Sequence, residues 1–164
     1  MNAKSMLWPV MLLVVMSLAM VSCPGKDSGP AALQVVRNET GAAGKTIHYA
    51  VKVTQAPQEV GAFGVEVRYD PALLRYTGKW DRGELTTAFS QVGVNEIAPG
   101  LLRVGGFTAD APVAALSTGA LVNLEFEVVS YAPSQLSAAN PVDDVKGFSL
   151  FVAPGAATAA PAAQ

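Results

Sequence analysis

The residues able to do chemistry are few. The chain carries one histidine, His48, and one cysteine, Cys23. A nucleophilic relay of the Ser-His-Asp kind therefore has a single available base. His48 sits inside the alternating stretch TIHYAVKVT with no serine beside it, so a solvent-facing strand histidine is the simpler reading. Glu125 and Glu127 point to the same side of another alternating stretch, ~7 Å apart along a strand. A glycosidase pair has to flank a sugar across a cleft, and neighbours on one strand stand side by side instead. Zinc needs a set of cysteine and histidine ligands that this composition cannot supply. Asp143-Asp144, in NPVDDVKG, lack the D-x-D-x-D-G spacing of a calcium loop and read as turn residues. The chain is expected to be non-catalytic, with no cofactor and no metal of its own.

Charge narrows the partners further. Of 164 residues, 11 are basic and 13 acidic, and Lys and Arg are scattered singly. A nucleic-acid partner, which needs a basic stripe or cluster, is not expected. The hydrophobic share is 51%, high enough to suggest a membrane protein, but much of it lies at the two ends. Lys4 precedes the apolar run MLWPVMLLVVMSLAM, and VSC follows it. That run is too short for a comfortable membrane span and has the order of an export signal. The ending MVSC resembles a bacterial lipoprotein signal, with Ser22 and Cys23 in the expected places. Residues 1–22 are read as the signal, and Cys23 as the lipidation site. An exported chain with one cysteine cannot form an internal disulfide, and a thioether lipid accounts for that thiol. Each buried methylene contributes about 0.8 kcal/mol, so more than one acyl chain anchors stably. Pro24 follows the cysteine, and by resemblance to Gram-negative sorting this favours the outer membrane where there is one. The expected location is the bacterial cell envelope, through a lipid anchor.

What lies behind the anchor is organised by strands. Residues 23–31, Cys23 and PGKDSGPA, form a Pro/Gly/Ser-rich tether. Residues 154–164, PGAATAAPAAQ, hold no charge and no large apolar group, the composition of a disordered tail. Residues 32–153 remain, enough for a core without disulfides or metal. Their dominant period is two. Ile47, Tyr49, Val51 and Val53 share one face of their stretch, and Val122, Leu124, Phe126 and Val128 one face of theirs. LQVVRN, LLRVGGFT, FSQVGVNEI and KGFSLFV read as further strands. Breakers such as Gly41, Pro57, Gly61, Pro99-Gly100 and Pro112 fall between these stretches. No helical period persists beyond a turn, so the fold class is all-β, a sandwich.

The stretch AFGVEVRYDPALLRY shows how such a strand must end. Phe63, Val65, Val67 and Tyr69 alternate with Gly64, Glu66 and Arg68 until Asp70-Pro71. Pro71 removes an amide donor and fixes φ, so the ladder stops there. Asp70 is placed to cap the amides of Ala72 or Leu73. A single helical turn is expected, with Leu73 and Leu74 tucked back and the next strand entered at Tyr76. The structural turn at Asp70 and Pro71 builds the fold and is not a catalytic site.

In this order, GKTIHYAVKV, GAFGVEVRYDPALLRY, LLRVGGFT and STGALVNLEFEVV resemble the cohesin family across residues 33–152. The resemblance implies a nine-stranded jelly-roll β-sandwich, related in fold to carbohydrate-binding modules, and a non-catalytic role. It implies docking of a dockerin-like protein partner through one flat sheet face, with calcium carried by the dockerin. The family's face corresponds to residues 62–69, about 84–96 and 119–129. Its outward positions here are Glu66, Arg68, Gln91, Asn95, Asn123, Glu125 and Glu127. Carbohydrate binding stays open as an alternative, as does a structural role in an envelope or secretion assembly. A polysaccharide needs exposed rings to stack on. After signal removal Trp80 is the sole tryptophan, and with Tyr131 and Tyr76 it makes a sparse platform. Capping a sandwich end is the plainer role for Trp80.

Overall fold

The computed structural model describes residues 32–37, 45–130 and 136–151. The signal, Cys23, the tether, Tyr131 and the tail lie outside the described residues. The strands are β1 (Ala32–Arg37), β2 (Thr46–Thr54), β3 (Ala62–Arg68), β4 (Leu74–Arg82), β5 (Gln91–Ala98), β6 (Leu101–Phe107), β7 (Gly119–Val128), β8 (Ser137–Asp143) and β9 (Ser149–Phe151). They form two sheets, one of five strands ordered β4-β7-β2-β1-β9 and one of four ordered β5-β6-β3-β8. All pairs are antiparallel except β1 with β9. This is the nine-stranded jelly-roll sandwich the sequence resemblance implied.

Alternation decides which side of each strand is buried. Phe63, Val65 and Val67 of β3 meet Leu102 and Val104 of β6 on the inner face of the four-stranded sheet. Tyr49, Val51 and Val53 of β2, with Val122, Leu124 and Phe126 of β7, cover the inner face of the other. Phe126 sits at the centre of one end of the core. Its ring meets Tyr49 edge-on at 5.6 Å, Tyr69 at 5.1 Å and Tyr76 at 5.6 Å, separations at which aromatic pairs attract beyond simple burial.

The Asp70-Pro71 stop takes the form expected. Asp70 Oδ1 accepts the Ala72 amide at 2.9 Å, and the Asp70 carbonyl accepts the amides of Leu73 and Leu74. Leu74 is buried and Leu73 half-buried against the core. The strand resumes at Leu74, earlier than expected, because Leu74 already pairs with Val128 of β7.

Two local expectations are corrected. Residues 84–86, placed within a strand by family correspondence, form a short 3-10 turn, and β5 begins at Gln91. The turn is held by Thr86, whose hydroxyl donates to the Leu121 carbonyl at 2.6 Å, and by Glu84, whose carboxylate accepts the Ala120 amide at 2.8 Å. That amide bond holds the Glu84 carboxyl below the ordinary glutamate value. Residues 137–143, SAANPVD, form a strand that alternation did not reveal. Asp143 closes it, and Asp144 Oδ2 accepts the amides of Gly61 and Ala62, each at 2.9 Å. The acid pair therefore ties the end of β8 to the start of β3.

Candidate functional site

The outer face of the four-stranded sheet is built in cross-strand rows. Gln91, Phe107 and Ala62 make one row, Gly93, Gly105 and Gly64 the next, and Asn95, Arg103 and Glu66 the third. Three adjacent strands thus present no side chain in the middle row. A Cβ at Gly93 would meet nothing within 4 Å, while one at Gly64 would lie 2.6 Å from Val142 Cγ2. The row is a shallow floor open at β5 and closed by Val142 at β8. Phe107 and Val142 beside it are exposed, at 52% and 49%. Large apolar groups left in solvent next to a side-chain-free floor suit contact with another surface.

The third row carries the charge. Glu66 is only 17% exposed because Arg68 and Arg103 lie over it, each guanidinium 3.7 Å from a carboxylate oxygen. Asn140 of β8 donates to Glu66 Oε2 at 2.6 Å. The arginines are 59% and 67% exposed, so each ion pair adds at most about 1 kcal/mol. Their more consequential role is orientation, because a shared carboxylate aims two guanidiniums outward with donors to spare.

The seven positions read from sequence do not share a face. Glu66, Arg68, Gln91 and Asn95 lie on the four-stranded sheet; Asn123, Glu125 and Glu127 lie on β7 of the five-stranded sheet, across the core. Parity correctly turned all of them outward, but two sheets have two outsides. The latter residues have partners of their own. Glu127 pairs with Arg75 at 3.3 Å and Glu125 with Lys79 at 3.3 Å. Burial works to raise the Glu125 carboxyl, but Lys79, Thr77 and the nearby His48 outweigh it and hold it below the ordinary value. Trp80 is half-buried against the core cluster.

Arg103, Asn140, Phe107 and Val142 were absent from the sequence-derived set. Arg103 and Phe107 were legible, since in LLRVGGFT they share the parity opposite to buried Leu102 and Val104. Asn140 and Val142 belong to the unanticipated β8.

At the far end of β5, Glu96 turns to the sandwich edge and accepts a hydrogen bond from Tyr69 Oη. Burial first, then that bond, raises the Tyr69 phenol. Tyr76 Oη is buried with no hydrogen-bond partner. Burial, with the nearby Glu96 charge, pushes its phenol up to about 12.

Among curated proteins no relative matches the sequence. Solved structures do match in fold. The sixth cohesin of scaffoldin B from Acetivibrio cellulolyticus, solved in complex with a dockerin, has a TM-score of 0.55 at 22% identity, covering 69% of this chain and 84% of that one. The second type II cohesin module of the adaptor scaffoldin ScaA from the same organism scores 0.57 at 17% identity, covering 72% and 75%. CaCohA2 from Clostridium acetobutylicum scores 0.51 at 20% identity, covering 67% and 76%. The family model described as Cohesin domain matches residues 31–149, and the chain belongs to the cohesin domain family.

Proposed function

We propose that this chain is a non-catalytic docking module whose outer four-stranded face receives a dockerin-like protein partner, and that a lipid on Cys23 holds it at the cell envelope. One observation carries the docking reading: exposed Arg103 and Arg68 share the Glu66 carboxylate beside a glycine floor flanked by exposed Phe107 and Val142. Arginine and apolar anchors around a flat centre are the composition of protein–protein contacts. The scaffoldin B cohesin of the same fold was solved with a dockerin bound, which supports the same class of partner here. Calcium belongs to the partner's loops in this reading, so its removal acts on the partner and leaves the cohesin fold intact.

The test is capture from the source organism's extract on the full chain, in parallel with calcium and with a chelator. A calcium-dependent partner carrying paired Asp-rich loops is expected. Joint replacement Arg68→Glu and Arg103→Glu should weaken it by at least about a hundredfold, or about 2.8 kcal/mol. Capture of no specific protein under either condition overturns the docking reading. The anchor is checked separately by growth with labelled palmitate. Label should follow the chain into the membrane fraction and be lost in Cys23→Ala; a labelled Cys23→Ala chain refutes the assignment.

A further inference from the structure

Charge is unevenly placed on the outer face of the four-stranded sheet. Its central strands, β6 and β3, carry Arg103, Glu66 and Arg68. The acid is the recessed member, shaded by both guanidiniums, and Asn140 already donates to its Oε2. Two cations over one anion leave this patch with a surplus of one positive charge. Each guanidinium has five N–H donors, more than a shared carboxylate can occupy. The chain as a whole leans the other way, with 13 acids against 11 bases. The patch therefore runs against the molecule's own balance.

An opposite charge borders the glycine floor. A Cβ on Gly64 would lie 3.6 Å from Asp143 Oδ2, which puts that carboxylate at the β8 side of the empty row. Asp143 is exposed and holds φ +59°, a left-handed conformation that aspartate accepts more readily than most residues. Among the described residues no base forms an ion pair with it. Glu66, opposite Arg103, and Arg68 stand two and four residues beyond Gly64 on β3. Those steps are about 7 and 14 Å along the strand. A partner lying over the floor thus meets a cation pair on one side and a lone carboxylate on the other. Like charges brought together across an interface are rejected, so the two signs tell the partner's two ends apart.

We propose that Arg68 and Arg103 receive a carboxylate from the docked protein while Asp143 receives a base, which admits that protein in one orientation. The inference rests on the docking reading and adds what the partner must present: an acid and a base about 7–14 Å apart, with small side chains between them over the glycine row. The guanidinium fork matches a carboxylate in shape as well as in charge. A basic group is the wrong occupant there, because Glu66 is recessed and already holds three partners.

The probe is the protein captured on the full chain, purified and titrated by calorimetry against variants whose far-ultraviolet dichroism and melting match the parent. Glu66→Gln strips the anion from under the guanidiniums and should tighten binding about three- to tenfold. Arg103→Glu should weaken it at least about tenfold. Asp143→Asn, which keeps a residue suited to the left-handed turn, should weaken it at least about threefold. Opposite signs, as a basic group seated on Glu66 would give, overturn the proposal. So does an affinity within twofold of the parent in any one of the three. A second arm uses the Glu66→Gln, Arg103→Lys chain, whose new amine a carbodiimide can join to a facing acid. Mass spectrometry should find position 103 amide-linked to an Asp or Glu of the captured protein; intact binding without that link overturns the proposal. The two failures are separable. Capture of no specific protein condemns the docking reading and this inference together, whereas a captured protein indifferent to these charges condemns the inference alone.

Discussion

The two outer faces of the sandwich differ in how they dispose of charge. On the five-stranded sheet each acid of β7 has a cross-strand base, Glu125 with Lys79 and Glu127 with Arg75. On the four-stranded sheet one acid, Glu66, is shared by Arg68 and Arg103 and also takes a hydrogen bond from Asn140. The first arrangement closes on itself. The second leaves guanidinium donors in excess, beside exposed Phe107 and Val142 and a row with no side chains. A self-neutralised face has little to gain from a partner. A face with aimed arginines and unshielded apolar groups gains by losing solvent contact.

Filling the glycine floor is the strongest way to break this contrast without touching charge. Gly93→Leu meets no neighbour at its Cβ, so it should fold, yet it raises a side chain where a partner must approach. Partner affinity should fall about ten- to a hundredfold, about 1.4–2.8 kcal/mol. Thr46→Leu, on the outer face of the other sheet, should leave affinity within twofold. Equal losses at both positions, measured by titration of the captured partner, would show that the faces are not distinct in function.

A smaller effect sharpens the comparison at the seam between the sheets. Tyr69 follows β3 of one sheet and spends its hydroxyl on Glu96; Tyr76 stands on β4 of the other with its hydroxyl buried and unpartnered. Tyr69→Phe should cost about 1.5–3 kcal/mol, the scale of a hydrogen bond to a charged group. Tyr76→Phe should be neutral or stabilise by up to about 1 kcal/mol, because no bond is lost and an orphan hydroxyl is removed. The Tyr76 phenol is pushed up to about 12 in the folded chain. Its contribution is therefore fully present below the ordinary tyrosine pKa of about 10 and is lost as pH rises through the folded value. Denaturant melts of Tyr76→Phe should accordingly lose less stability than the parent between about pH 10 and 12. A Tyr76→Phe variant as destabilised as Tyr69→Phe would mean that the Tyr76 hydroxyl has a partner.

Much of the architecture was legible one strand at a time. The alternation of Ile47, Tyr49, Val51 and Val53 marked β2 to its final limits, and Phe63, Val65, Val67 and Tyr69 were rightly turned inward. Asp70-Pro71 announced its own turn, because an Asx cap and a missing amide act within a few residues. β8 escaped notice for an equally local reason. SAANPVD has little apolar alternation, and Asn140 and Asp143 hold positive φ within it. Its strand identity comes from pairing with β3, more than sixty residues away.

The sequence by itself determined which side of each strand faces the core, since the side-chain period of a strand is two and burial enforces it. It also determined that Glu66, Arg68, Gln91, Asn95, Asn123, Glu125 and Glu127 point outward. Only the tertiary structure decided which of them stand together. Strands β3, β5 and β7 look alike in pattern, and their division between sheets follows from hydrogen-bond pairing between distant segments. That pairing joined Glu66 to Arg103 and Asn140, and sent Glu125 to the opposite face beside Lys79 and His48.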